Sequence, residues 1–324
     1  MIAVKAPACL PLGVTKLLRN DNTMPCLLGL TITYPPVHLT AEVNQSLGCT
    51  GPRANVAYDD AAKVIERGQL STNSEIEIEL AIPLGMGLFS ETILALSTAT
   101  AVAWANNLAH KNATVLADML DLGTGDALGL AAFDRGGLLM VDLDARRPKD
   151  AVVERWEIAH ERKDAWALVM FLPKIPEKAP RNLEARLKET ATAAALEMDA
   201  NHETELNERL VNALASDDIG LFGSAITELQ ERSFKAMKVA GGALWETEAG
   251  EVFFEVMRSN GAFAWGQSLT GLALWALLKG EVACIETQKA LHPKVGYYSG
   301  RILSAITDNA GAQFTEKDDS PFMT

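Results

Sequence analysis

One stretch of the chain has residue types suited to holding phosphate. Pro83-Leu-Gly-Met-Gly87-Leu-Phe-Ser90 sets Gly85, Gly87 and Ser90 directly before a long uncharged run that reads as a helix from about Glu91 to Leu108. Glycines permit backbone conformations that other residues resist, a serine can cap the helix, and the free N–H groups of a helix start attract anions. A second glycine-rich stretch, Gly261–Gly271, contains Gly266-Gln267-Ser268 and lies about 180 residues further on. Each pattern alone also serves as a tight structural turn.

Other chemistries find no support in residue spacing. Cys9, Cys26, Cys49 and Cys284 form no CxxC pair and no disulfide pattern, which points to reduced thiols in a cytoplasmic protein. The five histidines, His38, His110, His160, His202 and His292, lack the spacing of a zinc site, so no metal ligand is read from them. With 29 basic and 42 acidic residues the net charge is −13, which argues against general affinity for nucleic acid or an anionic membrane. Thr92–Ala109 and Ser259–Leu278 are uncharged, yet both carry Ser, Thr, Asn or Gln, so neither reads as a bilayer span. The start of the chain has two prolines where a signal peptide needs a continuous apolar run.

Residues 1–80 read as strands and turns: Leu27–Tyr34 and His38–Val43 are broken at Pro35-Pro36, and Glu75–Ile82 alternates like a half-buried strand with its acidic face outward. The helix after the first loop is so uniformly apolar that it must be buried on several faces. A helix Thr114–Asp121, a strand Leu138–Val141, a connection over 144–163 with the basic cluster Arg146–Lys149, and a buried strand Ala167–Leu172 follow. A proline- and lysine-rich loop over 173–180 leads to a helical pattern from Leu183 to about Leu214, and Asp217 is read as the N-cap of a further helix, Ile219–Ser233. Glu251–Ser259 reads as helix, Gly261–Gly271 as loop, Leu272–Lys279 as helix and Arg301–Thr307 as helix or strand, before a charged tail at Glu316–Asp319. Trp245, Trp265 and Trp275 read as core residues. Without a regular βαβα rhythm the mixture reads as α+β, and 324 residues suit about two domains.

In this order the two loops resemble those of the GHMP superfamily, named for galactokinase, homoserine, mevalonate and phosphomevalonate kinases. Within it the chain is most similar to the β-ribofuranosylaminobenzene 5′-phosphate synthase branch. The stretches that carry the resemblance are Pro83–Leu96, Gly129-Leu-Ala-Ala-Phe133-Asp-Arg-Gly136-Gly137, Asp218–Gln230, Gly261–Ser268 and Ile306–Ala312. The resemblance implies an α+β, GHMP-type two-domain fold. Its N-terminal half, 1–163, would be ribosomal-protein-S5-domain-2-like, and its C-terminal half, 164–324, ferredoxin-like. The ligand would lie between the halves, its phosphates held by Gly85, Gly87, Ser90 and Thr92 and by Gly266, Gln267 and Ser268. The branch implies transfer of ribose 5-phosphate from phosphoribosyl pyrophosphate (PRPP) to 4-aminobenzoate or 4-hydroxybenzoate in tetrahydromethanopterin biosynthesis. Mg²⁺ would offset the pyrophosphate charge, and a homodimer would be the working form.

The sequence departs from the family pattern at informative places. Phe89 stands where a glycine would let phosphate approach, and Glu91 puts a carboxylate in the first helical turn. Cys9 falls where the first strand would supply a basic residue, and Gly125-Asp126 replaces an Arg-Ser pair. The resemblance therefore leaves two alternatives open. One is an ATP-dependent small-molecule kinase in which Asp126 takes the proton of a substrate hydroxyl, although an Asp there also caps a turn. The other is a non-catalytic, diverged paralogue that binds a pathway intermediate or an active homologue.

Overall fold

The structure is a computed structural model, and it describes residues 1–19, 22–160, 163–175, 183–240, 248–296 and 298–316. The loop read over 173–180, Trp245 and the tail at Glu316–Asp319 lie wholly or partly outside the described residues. Two sheets organise the chain, which is mixed α+β as expected.

The first sheet is built on two long strands, β1 (Ile2–Arg19) and β2 (Asn22–Asn44), paired antiparallel. β4 (Asn73–Leu80) and β5 (Leu138–Asp142) pair with different parts of β2. The register of β1 against β2 shifts beside Pro35-Pro36, so the proline pair marks an irregularity inside one strand and does not end it. β3 (Gly48–Thr50) joins β4 in parallel, β6 (Val152–Trp156) joins β5, and β11 (Gln313–Glu316) returns from the far end of the chain to pair with β1. β6 lies inside the stretch read as a connection.

Residues 1–80 hold a helix besides the strands and turns expected there. A helix, α1 (Ala54–Arg67), interrupts the first strands, and it buries Ala57, Asp60, Ala61 and Val64, the i, i+3, i+4, i+7 face of a helix. The stretch read as helical over Leu183–Leu214 holds two helices, α5 (Leu183–Glu197) and α6 (Ala200–Ala215). The second starts at Asp199, whose side chain accepts from the Asn201 N–H. Asp218, and not Asp217, caps α7 (Ile219–Val239), accepting from the Gly220 and Leu221 N–H groups.

In α2 (Ser90–Ala105), Ser90 and every residue from Thr92 to Ala103 are buried, the all-round burial its composition requires. α3 (Ala113–Met119), a 3-10 turn at Thr124–Asp126 and α4 (Ala127–Arg135) follow it, and another 3-10 turn covers Pro148–Asp150. β1 tolerates Pro11 because the ladder is already irregular between Pro11 and Gly13. The groups freed there are taken up by α7: Gln230 Nε2 donates to the Leu12 carbonyl, and the Val14 N–H donates to Ser233 Oγ.

The second sheet has the order β10-β7-β9-β8 and is antiparallel, with β7 (Trp166–Pro173), β8 (Ala264–Gln267), β9 (Leu274–Lys279) and β10 (Gly300–Ile306). Along β7, Trp166, Leu168, Met170 and Leu172 join the main core, while Ala167, Val169 and Phe171 face α8 (Glu248–Ser259) and α9 (Glu281–Val295) in a second one. The helix expected over Leu272–Lys279 is therefore β9. A strand buried on both faces is continuously apolar, which periodicity cannot separate from a buried helix. Trp275 is buried as expected, whereas Trp265 is half-buried, with the Arg258 guanidinium 5.7 Å from its ring. Among the described residues no helix is long and apolar enough to cross a membrane.

Candidate active site

The two glycine-rich loops meet. Gly85 and Gly87 have φ of +70° and +71°, and a Cβ on Gly87 would stand 2.3 Å from Ser268 Oγ and 2.4 Å from the Gly271 nitrogen. The Leu272 N–H donates to the Gly85 carbonyl at 3.0 Å, the Ala273 N–H to Met86 at 3.1 Å, and Ser268 Oγ to Gly87 at 2.8 Å. Gln267 donates through Nε2 to the Gly271 carbonyl at 2.8 Å, closing its own loop. Gly266 lies against Gln230, where an added Cβ would stand 2.2 Å from Oε1. Gly266, Gln267 and Ser268 are thus brought to the first loop, and the two side chains bond protein groups, fixing the loop's shape.

Phe89 adopts a left-handed backbone conformation that favours glycine. Its φ is +56°, a conformation uncommon for a bulky residue, and its ring is fully buried beside Thr92 and Gly129. A Cβ on Gly129 would stand 2.8 Å from Phe89 Cδ1, which accounts for the glycine there. Lys188 Nζ, from α5, lies 4.5 Å from the centre of the Phe89 ring.

Asp126 is the second focus. Its Oδ1 accepts from Thr92 Oγ1 at 2.6 Å and from Lys188 Nζ at 3.2 Å, and its Oδ2 accepts from the Gly123 N–H at 3.2 Å. The carboxylate therefore closes its own turn and also joins α2 to α5. It lines a cavity of about 540 Å³ with Glu91, Gly125, Lys188 and Glu189. Cys9 is fully buried beneath the loop, its N–H 3.4 Å from the Leu88 carbonyl; burial pushes its thiol pKa far up, and Lys188 is the charge that acts against that shift.

Two further residues were not singled out from the sequence. Arg53, at φ +62°, donates through Nη1 to the Ser90 carbonyl at 3.0 Å, and its Nε and Nη2 lack partners. Glu184, in the first turn of α5, is 6 % exposed, and neither carboxylate oxygen has a hydrogen-bond partner. Burial is the largest cause that lifts its pKa to about 7, with Lys188, Arg53 and the Phe89 N–H acting against the rise and Glu91 adding to it. Ser90 Oγ is also buried and unpartnered. Glu184 and Lys188 are one helical turn apart, a spacing any exposed helix shows, which is why the pair carries no sequence signal. Arg53 also lines a second cleft, of about 690 Å³, with Ile82, Pro83, Met86, Lys174 and Arg301. The Arg146–Lys149 cluster lies apart from both cavities, Arg147 paired with Asp150 and Lys149 with Asp118.

No family model and no curated protein matches the sequence. Solved structures do. Homoserine kinase from Cytophaga hutchinsonii superposes with a TM-score of 0.62 at 14 % identity, over 97 % of this chain and 97 % of its own. Mevalonate kinase from Methanococcus jannaschii gives 0.63 at 14 %, over 95 % and 98 %. Mevalonate diphosphate decarboxylase from Staphylococcus aureus gives 0.67 at 15 %, over 98 % and 99 %. The chain has the fold of the GHMP kinases along essentially its whole length.

Proposed function

We propose that the protein is an ATP-dependent kinase of a small hydroxylated molecule. The observation that carries this reading is Asp126, bonded to Thr92 and Lys188 at the edge of the 540 Å³ cavity and next to the start of α2. The kinases among its structural neighbours support it. In this reading the nucleoside of ATP occupies the 690 Å³ cleft beside Arg53, and its phosphates reach the first turn of α2, where N–H groups and the helix dipole favour negative charge. The acceptor enters the other cavity. Asp126 takes the proton of its hydroxyl as the oxygen attacks the terminal phosphorus and ADP leaves, and Lys188 holds the carboxylate in place and offsets charge on the transferred group. Glu91 and Asp126 offer oxygen donors on the same cavity, a set that suits Mg²⁺, which uses one or two carboxylates together with substrate phosphates. When bound, Mg²⁺ would neutralise phosphate charge.

A second reading is ribose 5-phosphate transfer from PRPP to an aromatic acid. It is favoured by the positions of Gly129, beneath Phe89, and Ser268, on Gly87, because both belong to stretches that resemble the synthase branch. Calorimetry with Mg²⁺–ATP and Mg²⁺–PRPP side by side separates the two. The kinase reading expects ATP to bind and Asp126→Asn to lower phosphoryl transfer by about 10²- to 10⁴-fold, with ATP affinity changed far less. Binding of PRPP alone would replace it with the second reading.

A further inference from the structure

The polar groups around the start of α2 do not complete one another. Glu184 Oε1 and Oε2, Arg53 Nε and Nη2, and Ser90 Oγ are all buried, and none has a hydrogen-bond partner. An unpaired buried carboxylate is costly, and a cluster of such groups calls for an explanation. The carboxylate of Glu184 faces the Phe89 N–H, at the position where a helix start holds an anion. Arg53 is anchored to the Ser90 carbonyl by Nη1, so its two unpartnered nitrogens, Nε and Nη2, stay beside the same turn.

We propose that Glu184 is an internal anion seated at the phosphate position of α2, and that a phosphate enters only when Glu184 is protonated or moved aside. A phosphate offers more acceptor oxygens than a carboxylate, enough for the unused donors of Arg53 and Ser90 and for the Phe89 N–H that Glu184 now faces. Glu184 cannot serve all of these, and as a carboxylate it repels the ligand that could. Lys188 lies one turn further along α5 and beside Phe89, so a cation remains at the site after Glu184 withdraws. The charged groups that face Glu184 are Arg53 ahead of α1, Glu91 on α2 and Lys188 on α5, with Asp126 bound to Lys188 and Asp60 acting on Arg53. Cys9 lies below them as a neutral thiol. The inference rests on the proposed function for the place of the phosphate and not for the reaction.

The test is calorimetric titration with inorganic tripolyphosphate, in EDTA, of the wild type and Glu184→Gln at pH 6 and pH 8. Comparing the two proteins at one pH cancels the titration of the ligand itself. At pH 8 the variant is expected to bind at least about tenfold tighter, the effect of removing one close like charge. At pH 6, where Glu184 is protonated, the gain should fall to within about threefold. Glu184→Ala should show the same gain at pH 8 and serves if the glutamine variant does not fold. Equal or weaker binding by the variants at pH 8, or no binding by any of the proteins, overturns the inference. A gain in tripolyphosphate binding without phosphoryl transfer from ATP to any hydroxylated acceptor would keep the inference and remove the kinase reading. Transfer from ATP with no gain would do the reverse.

Discussion

On the side of the first loop that meets Gly266–Ala273, the Gly85, Met86 and Gly87 carbonyls all accept hydrogen bonds, and the side chains of Gln267 and Ser268 donate within the same clamp. A few residues on, from Phe89 to Thr92, the chain passes buried donors and acceptors of Arg53, Ser90 and Glu184 that have no partner. Both regions are glycine-shaped and lie at the junction of the two sheets. Their difference separates scaffold from site: the satisfied side fixes a shape, and the unsatisfied side is where a ligand would complete the hydrogen bonding. Strain follows the same division, because Arg53 and Phe89, both at positive φ, stand on the unsatisfied side.

The comparison breaks most visibly at Gly87. Gly87→Ala places a Cβ against Ser268 Oγ and the Gly271 nitrogen at a φ of +71°, so overpacking and backbone strain combine to cost about 2–5 kcal/mol. Chemical denaturation measures it, and a loss below about 1 kcal/mol would show that the clamp is not rigid. Next in size is Phe89→Gly, which puts a glycine at this positive φ. The buried ring leaves a cavity while the glycine relieves the positive φ, for a net loss of about 2–4 kcal/mol. Phe89→Ala should lose about 1 kcal/mol more, because it keeps the strain. Equal stability of Phe89→Gly and wild type would place the ring outside the core.

The smallest effect concerns Glu184, and its sign depends on pH. Its folded pKa, about 7, lies above the ordinary glutamate value, so the favourable state is the protonated one. Stability from this group is complete below about pH 4 and is lost as pH rises through 7. Glu184→Gln should therefore match wild type at pH 4 and exceed it by up to about 3 kcal/mol at pH 8. Thermal melts across that range check it, and a difference independent of pH would show that Glu184 is solvated.

Part of this was readable in advance. The burial of α2 follows from its uniformly apolar composition, and the resemblance implied that the two loops share one ligand. α1 was missed although Ala57, Asp60, Ala61 and Val64 have helical spacing, because Asp60 is a buried acid and hides the apolar face. β9 was not readable: Leu274–Leu278 has residues at home in a helix, and only the pairing with β7 and β8 decides its form. Gln267 and Ser268 look like ligand donors in sequence, because a side chain that bonds a distant carbonyl is indistinguishable there from one that bonds a phosphate.

By itself the sequence determined what the backbone can do within a few residues: the turns at Gly85 and Gly87, the uncharged helix that must be buried, and the free N–H groups at its start. Those properties depend on φ, on side-chain size and on local hydrogen bonding. Only the tertiary structure decided which charges surround that helix start. Arg53, Asp126, Glu184 and Lys188 come from separate parts of the chain, and the interactions among these groups depend on distances that packing sets.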